Sequence, residues 1–411
     1  MRVARTAFAL LLLSCTDTTG PGNQSNGRIS IVNDAGALAA RVTYLNDSVP
    51  IDSVHVGYPS PPFMAPAIDR SAAASMTSYQ LKLRAEVASP VVGGQTLQAT
   101  SVEIVGTLAI VSYNMVGSPY LGGIDVLDIS NQLHPTLVSE ALFQNTDVSA
   151  VTASGASVYA AEATGDTGFA APAVFEVMQL QGNNLVLAGN RRTALSSLVA
   201  TSVASGTRAY ATSGDSGSLF VINPAQFTIT SSIPLHDARW VTVGGGKVVV
   251  VQGTPGVISV YNESDMSLVG HFPFKGADIA QSKSQAVLVG GKAFIAAGDS
   301  GVQALSASTG KFLGSVPRPN PDSWGLSPSV VVTNAVAIDQ DLMFISNGEA
   351  GVYLAQGSQV FSATGSEVTQ VMTVQGRLRF NNLQSVNHVA YQSKYLIIAA
   401  GLGGLKIVQV I

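Results

Sequence analysis

The chain has 411 residues, of which 46% are hydrophobic and only 11% charged, with 41 glycines and a formal net charge of −4. The length suits one large repeat fold, and little charge with much glycine suits short strands and tight turns, excluding helical bundles and coiled coils. An acidic balance excludes electrostatic binding to nucleic acid, which needs a basic face, and no apolar run reaches the roughly 18 residues of a membrane-spanning helix.

The N-terminus is expected to be an address. Arg2 and Arg5 give a positive start, and residues 7–13 form an apolar core too short to span a bilayer. That core ends in Leu12-Leu13-Ser14-Cys15, and Cys15 is the only cysteine, so no internal disulfide can form. Residues 16–27 (TDTTGPGNQSNG) are polar and glycine-rich, the composition of a flexible tether. In residues 28–78, two short segments at 29–32 and 40–44 could be strands, and the rest reads as linker. The whole stretch is expected to be an extended arm packed on the domain that follows.

From residue 79 to 411 one pattern recurs about every 40–50 residues, the period of four-stranded propeller blades. Its middle is a hairpin of two apolar strands around a glycine-rich turn, and seven hairpins begin at Leu108, Ser157, Arg208, Lys247, Lys292, Leu342 and Lys394. Each follows a shorter strand, placed at 99–105, 147–153, 199–204, 239–243, 285–289, 333–338 and 385–391. Six are followed by a fourth strand; the seventh is not, because the chain ends. Residues 79–90 (YQLKLRAEVASP) resemble the other outer strands. Pairing them beside the C-terminal strand closes the ring and leaves only short protected edges. The expected fold is all-β: a seven-bladed β-propeller of four-stranded blades, closed by an N-terminal strand completing the last blade. The expected domains are a signal peptide at 1–14, a lipidated tether at 15–27, an N-terminal extension at 28–78 and the propeller at 79–411.

Two resemblances add to this. The Leu12-Leu13-Ser14-Cys15 run resembles the lipobox of bacterial lipoproteins, which implies cleavage before Cys15 and its lipidation. Several acyl chains anchor a protein stably. In proteobacterial sorting an aspartate directly after the cysteine favours inner-membrane retention. Here Thr16 follows and Asp17 comes one later, so the resemblance implies the outer membrane. The propeller repeat resembles the LVIVD-repeat family of bacterial propellers. The run from Gly123 through Ile124, Asp125, Val126, Leu127, Asp128, Ile129 and Ser130 to Asn131 carries that likeness, with Pro135 opening the fourth strand. Leu405-Lys406-Ile407-Val408 is a truncated second match, while Val221-Ile222-Asn223-Pro224 is as similar to the related YVTN-type repeat.

Motifs for catalysis are few. GDSG occurs at 214–217 and 298–301, letters that also surround a serine-protease nucleophile. Both copies fall at the same place in two repeats, where GDTG at 165–168 and NGEAG at 347–351 also fall, so turn chemistry explains them. The histidines at 55, 134, 236, 271 and 388 make no local metal motif and are expected on surfaces or in turns. No calcium loop or P-loop is present. Two tryptophans are too few for a quinoprotein propeller with one per blade, and argue against a close relative of the eight-bladed lipoprotein that assists outer-membrane protein insertion. No cofactor, metal or catalytic residue is expected.

Arginine and aromatic residues, the types enriched at binding hot spots, gather in the expected connections between blades. Arg191, Arg192, His236, Arg239, Trp240, Trp324, Arg377 and Arg379 are therefore the candidate binding face, for an envelope protein or an anionic ligand. The leading expectation is a monomeric, non-enzymatic binding or scaffold lipoprotein. The alternatives are a lactonase-like hydrolase with a site at the channel mouth, and an outer-membrane assembly factor.

Overall fold

The computed structural model describes residues 20–54, 79–131, 133–195, 198–381 and 384–411. Cys15 and the rest of the expected signal and lipidation motif lie outside them, as do His55 and the end of the extension.

Alternation of apolar and small residues along each short run builds strands whose two faces are both covered by neighbouring blades. Seven antiparallel sheets result, arranged as a seven-bladed β-propeller. The innermost strands are Gln98–Val105, Thr146–Ser154, Ser202–Ser205, Ala238–Gly244, Ala286–Val289, Ala335–Asp339 and His388–Gln392. Strands two to four of each blade then step outward. The core is not one mass but a set of apolar layers between blades, such as the one joining Phe175, Phe220, Trp240 and Ile258.

The ring closes as the sequence predicts. Leu81–Val87 pairs antiparallel with the C-terminal strand Leu405–Val410, from Leu81 opposite Val410 to Val87 opposite Leu405. It becomes the outer strand of blade 7. Gln80 and Ile411 exchange both backbone hydrogen bonds beyond it, at 3.3 and 2.8 Å.

The extension packs on the ring by adding strands. Ile29–Val32 pairs with Thr136–Phe143 on blade 1, Val42–Ser48 with Leu81–Val87 on blade 7, and Ile51–Asp52 with Met372–Leu378 on blade 6. Pairing begins at Gln24–Ser25, inside the stretch read as tether, because Gln24 and Ser25 fold back on Ile31 and Ser30. Gln24 Oε1 also accepts from the Leu187 amide, 2.9 Å.

The repeated glycine turns stitch one blade to the next. Gly214, Gly298, Gly348 and Gly401 all have φ between 57° and 74°. That left-handed conformation suits glycine. Each bridges the entrance of the following inner strand, at Ala238, Thr333, Val386 and Ala99. The GDSG letters are thus blade-to-blade turns.

One level of six of the blades departs from the apolar pattern. There the third strand faces the fourth through Asp125–Glu140, Glu176–Arg192, Ser259–His271, Gln303–Ser315, Tyr353–Arg377 and Lys406–Glu86; blade 3 has Phe220–Ser232. Three of these pairs receive a charged residue from the extension. Arg41 binds both oxygens of Asp125, at 3.0 and 2.7 Å, and also contacts Glu140. Its Nη2 donates to the Ala88 carbonyl of blade 7, 2.7 Å, so one guanidinium ties blades 7 and 1. Arg28 grips Glu176 of blade 2 with two bonds, 2.8 and 2.5 Å. Asp52 pairs opposite Arg377 in the sheet and lies 3.6 Å from Arg379.

Candidate functional site

A propeller offers two end faces and a central channel. The turns between strands two and three share one face with the connections between blades; call it the connection face. The turns between strands one and two lie on the opposite face.

Most of the arginine and aromatic candidates are used by the propeller itself. Arg191 and Arg192 are not in a connection but inside Asn184–Ala194, an outer strand that pairs with Ala173–Gln181 on both sides of an irregularity at residues 187–190. Arg191 lies 4.8 Å over the Phe227 ring, and Arg192 binds Asp166 at 2.9 Å while covering Phe169. Arg239 and Trp240 belong to the inner strand Ala238–Gly244. Arg239 is 7% exposed, paired with Asp237, and donates to the Ile279 carbonyl, 3.0 Å. Arg377 lies within Met372–Leu378 and stacks 4.1 Å over Trp324, whose indole donates to the Tyr353 hydroxyl, 2.9 Å. His236 is exposed and 3.1 Å from Asp215. Arg379 remains mostly exposed. Strand pairing and self-packing account for the residue types that had suggested a binding face.

The connection face also exposes apolar side chains. Val116 and Tyr120 sit in the blade 1 turn, Leu402 in the blade 7 turn, Val91 between blades 7 and 1, and Leu198 and Val199 between blades 2 and 3. Val116 and Leu198 are 75% and 73% exposed. Val91 and Leu402 line one shallow depression with Thr43, Ser89 and Thr96. These residues form an arc over blades 7, 1, 2 and 3. Asp147 fixes part of it: its Oδ1 accepts from the Met115 and Leu121 amides, 3.3 and 3.0 Å, so both ends of the blade 1 turn are held. Burial of that carboxyl raises its pKa to about 6, against the pull of those two amides. Isolated valines and leucines in loops carried no periodic signal, so the arc was invisible in the sequence.

The channel holds a second arrangement. His388 was expected on a surface or turn; it opens the blade 7 inner strand and is buried in the channel, because the ring turns that strand inward. Its ring stacks on Trp240 of blade 4, centroids 5.4 Å apart. Lys283 reaches across from the loop before blade 5 to the Ser149 carbonyl of blade 2, 3.3 Å. These two cross-channel contacts lie at the connection-face end. Below them a cavity of about 260 Å³ is lined by residues of all seven blades, down to Ser205, Ile338 and Gln392 near the opposite face. Burial lowers the His388 pKa to about 3, with a smaller push from the Lys283 charge, so this imidazole is neutral. Burial raises the Glu103 carboxyl, in the cavity wall, to about 7, against a hydrogen bond with Thr152. His271 is bonded to Ser259, 2.8 Å, and His134 packs edge-on against Tyr44. Among the described residues no three histidine, cysteine, aspartate or glutamate side chains come together as a metal site.

No protein-family model matches the sequence, and no curated protein matches it either. Among solved structures, hydrazine synthase of Kuenenia stuttgartiensis is similar over 78% of this chain and 99% of that one, at 13% identity and a TM-score of 0.57. BamB from Moraxella catarrhalis aligns over 80% and 91%, at 10% identity and a TM-score of 0.47. The computationally designed Ika8 protein aligns over 81% and 93%, at 12% identity and a TM-score of 0.45. At such identities the likeness to the hydrazine synthase chain is one of fold alone.

Proposed function

We propose that this chain is a non-enzymatic cell-envelope lipoprotein of the LVIVD-repeat kind, lipidated at Cys15, whose propeller docks a partner protein on its connection face. The observation that carries the docking is the apolar arc of Val91, Val116, Tyr120, Leu198, Val199 and Leu402. Apolar side chains gathered on one face, rimmed by polar turns, mark an interaction surface. Of the nearby charges, Asp166 is paired with Arg192, and Asp215 stands 3.1 Å from His236. That leaves little to attract an anionic ligand, and the net charge of −4 disfavours an anionic bilayer as the occupant. A protein surface of uncharged apolar residues fits best.

The test is photo-crosslinking in cells, from a benzophenone amino acid placed at Val116 and Leu402 and, as controls, at Leu268 and Phe312 on the outer rim. The expected result is one partner captured from both arc positions, not from the rim, and lost when Leu198 and Val199 are changed to serine. In the same cells Cys15→Ala should leave the membrane fraction or accumulate as precursor. Equal capture from the rim, or none from the arc, would refute the docking face.

A further inference from the structure

The channel cavity is not uniform around its circumference. Three residues before each turn between strands one and two, the inner strands present one side chain at a common level. Glu103, Thr152 and Thr242 stand three residues ahead of Gly106, Gly155 and Gly245, and pair with Ile110, Tyr159 and Val249. Val287, Ala337 and Ala390 hold the same level in blades 5, 6 and 7, opposite Phe294, Phe344 and Ile397. All six line the cavity. In blade 3 the same position, three ahead of Gly206, is Val203, between Thr152 and Thr242. The polar groups at this level are therefore the adjacent Glu103 and Thr152, with Thr242 beyond Val203, and blades 5, 6 and 7 are apolar.

The end towards the connection face is crossed by the Trp240–His388 stack and by Lys283. Glu103 takes part in no ion pair among the described residues. Glu103 is half-buried in the cavity wall, so its carboxylate is only partly solvated and has no paired cation beside it. A metal ion is a poor match, since one carboxylate and two hydroxyls supply too little charge for a divalent cation. An anion is repelled. A primary ammonium on a short alkyl chain satisfies both sides: three N–H donors for the carboxylate and hydroxyls, and methylenes against Val287, Ala337 and Ala390.

We propose that the blind channel cavity is a binding site for a short-chain primary alkylammonium ion, held by Glu103 with Thr152 and Thr242 and packed against the alanine and valine side of the ring. The site is at the other end of the molecule's axis from the docking arc, so it stands or falls independently of it.

Trp240 at the closed end is the reporter. The experiment titrates n-propylammonium chloride into the mature protein carrying Trp324→Phe, following Trp240 fluorescence and the heat of binding. Saturable binding is expected at alkaline pH, weakening about tenfold per unit as the pH falls below the Glu103 pKa of about 7. Glu103→Gln should abolish it at every pH, because the neutral amide mimics only the protonated acid. Ala390→Leu, which fills the apolar side, should weaken it, and gives a second reading if the first variant folds poorly. The neutral analogue n-propanol should bind far less tightly. Equal binding of propanol, unchanged binding by a folded Glu103→Gln protein, or no saturation by propylammonium at millimolar concentration would overturn the proposal.

Discussion

Arg41 holds two carboxylates on one guanidinium, and that arrangement sets the stakes at the scale of single residues. Asp125 is fully buried and Glu140 nearly so. Removing the cation leaves two acids facing each other in a dry interface, and breaking a buried ion pair by deleting one partner costs about 3–5 kcal/mol. Arg41→Ala should therefore lower unfolding stability in urea by about that amount, more than any exposed arginine such as Arg379. A loss under about 1 kcal/mol would show that the pair is replaceable by solvent. Asp125 stood in the sequence inside the run that carries the repeat resemblance. Its counter-ion did not, since Arg41 lies 84 residues away in a segment without the repeat. The same holds for Arg28 and Glu176, 148 residues apart. Long-range polar pairs leave no periodic trace, and the partners of Arg192, Arg239 and Arg377, which are Asp166, Asp237 and Trp324, were not visible as partners either.

At the scale of elements, the hairpins were legible because each is a local object, with two apolar runs and a turn whose glycine requirement is written in the letters. The closing strand at 81–87 was legible by balance, since seven blades of four strands leave one strand to find. The strand at Ile51–Asp52 was not: two residues carry no alternation, and its pairing with blade 6 is made by tertiary context. Glycine turns divide into two kinds that the sequence does not distinguish. Gly106, φ 60°, has open space where a side chain would go, whereas a Cβ on Gly348, φ 59°, would sit 2.3 Å from the Val330 carbonyl oxygen. Gly106→Ala should cost about 1–2 kcal/mol, the penalty of the left-handed conformation alone. Gly348→Ala must also push back the Val330 backbone and should cost about 3 kcal/mol or more. Equal losses in the two variants, by denaturant unfolding, would mean that the Val330 segment yields at no cost.

For the whole molecule, low charge makes the few buried acids decide how stability responds to pH. Burial raises Glu103 from 4.5 to about 7 and Asp147 from 3.8 to about 6. Glu162 is raised well above its usual value, by burial and then by the neighbouring Glu176. A carboxyl whose folded pKa is raised keeps its proton in the folded state after the unfolded chain has released it. Stability is then full below the unfolded pKa and is lost as the pH climbs through the folded one. His388 acts in the opposite sense between its folded value of about 3 and its unfolded 6.5, because there the unfolded chain takes up a proton that the folded channel refuses. Glu140 is raised to about 7 as well, by burial and by the Asp125 charge against the pull of Arg41. Four carboxyls oppose one imidazole, so the net slope is negative between about pH 5 and 7. The acids with lowered values, Asp166, Asp265 and Glu367, act only in more acidic solution, and Lys283, lowered to about 8, acts only in more alkaline solution. The propeller should melt higher at about pH 5 than at about pH 7.5. Glu103→Gln combined with Glu162→Gln should make the slope shallower, because Asp147 and His388 then nearly cancel and Glu140 alone is left to set it. Calorimetric melting across that range is the measurement. A melting temperature that rises steadily with pH would mean that the channel and blade 2 acids are ionised in the folded ring, and would remove the electrostatic basis for the level of polar side chains running through the blades.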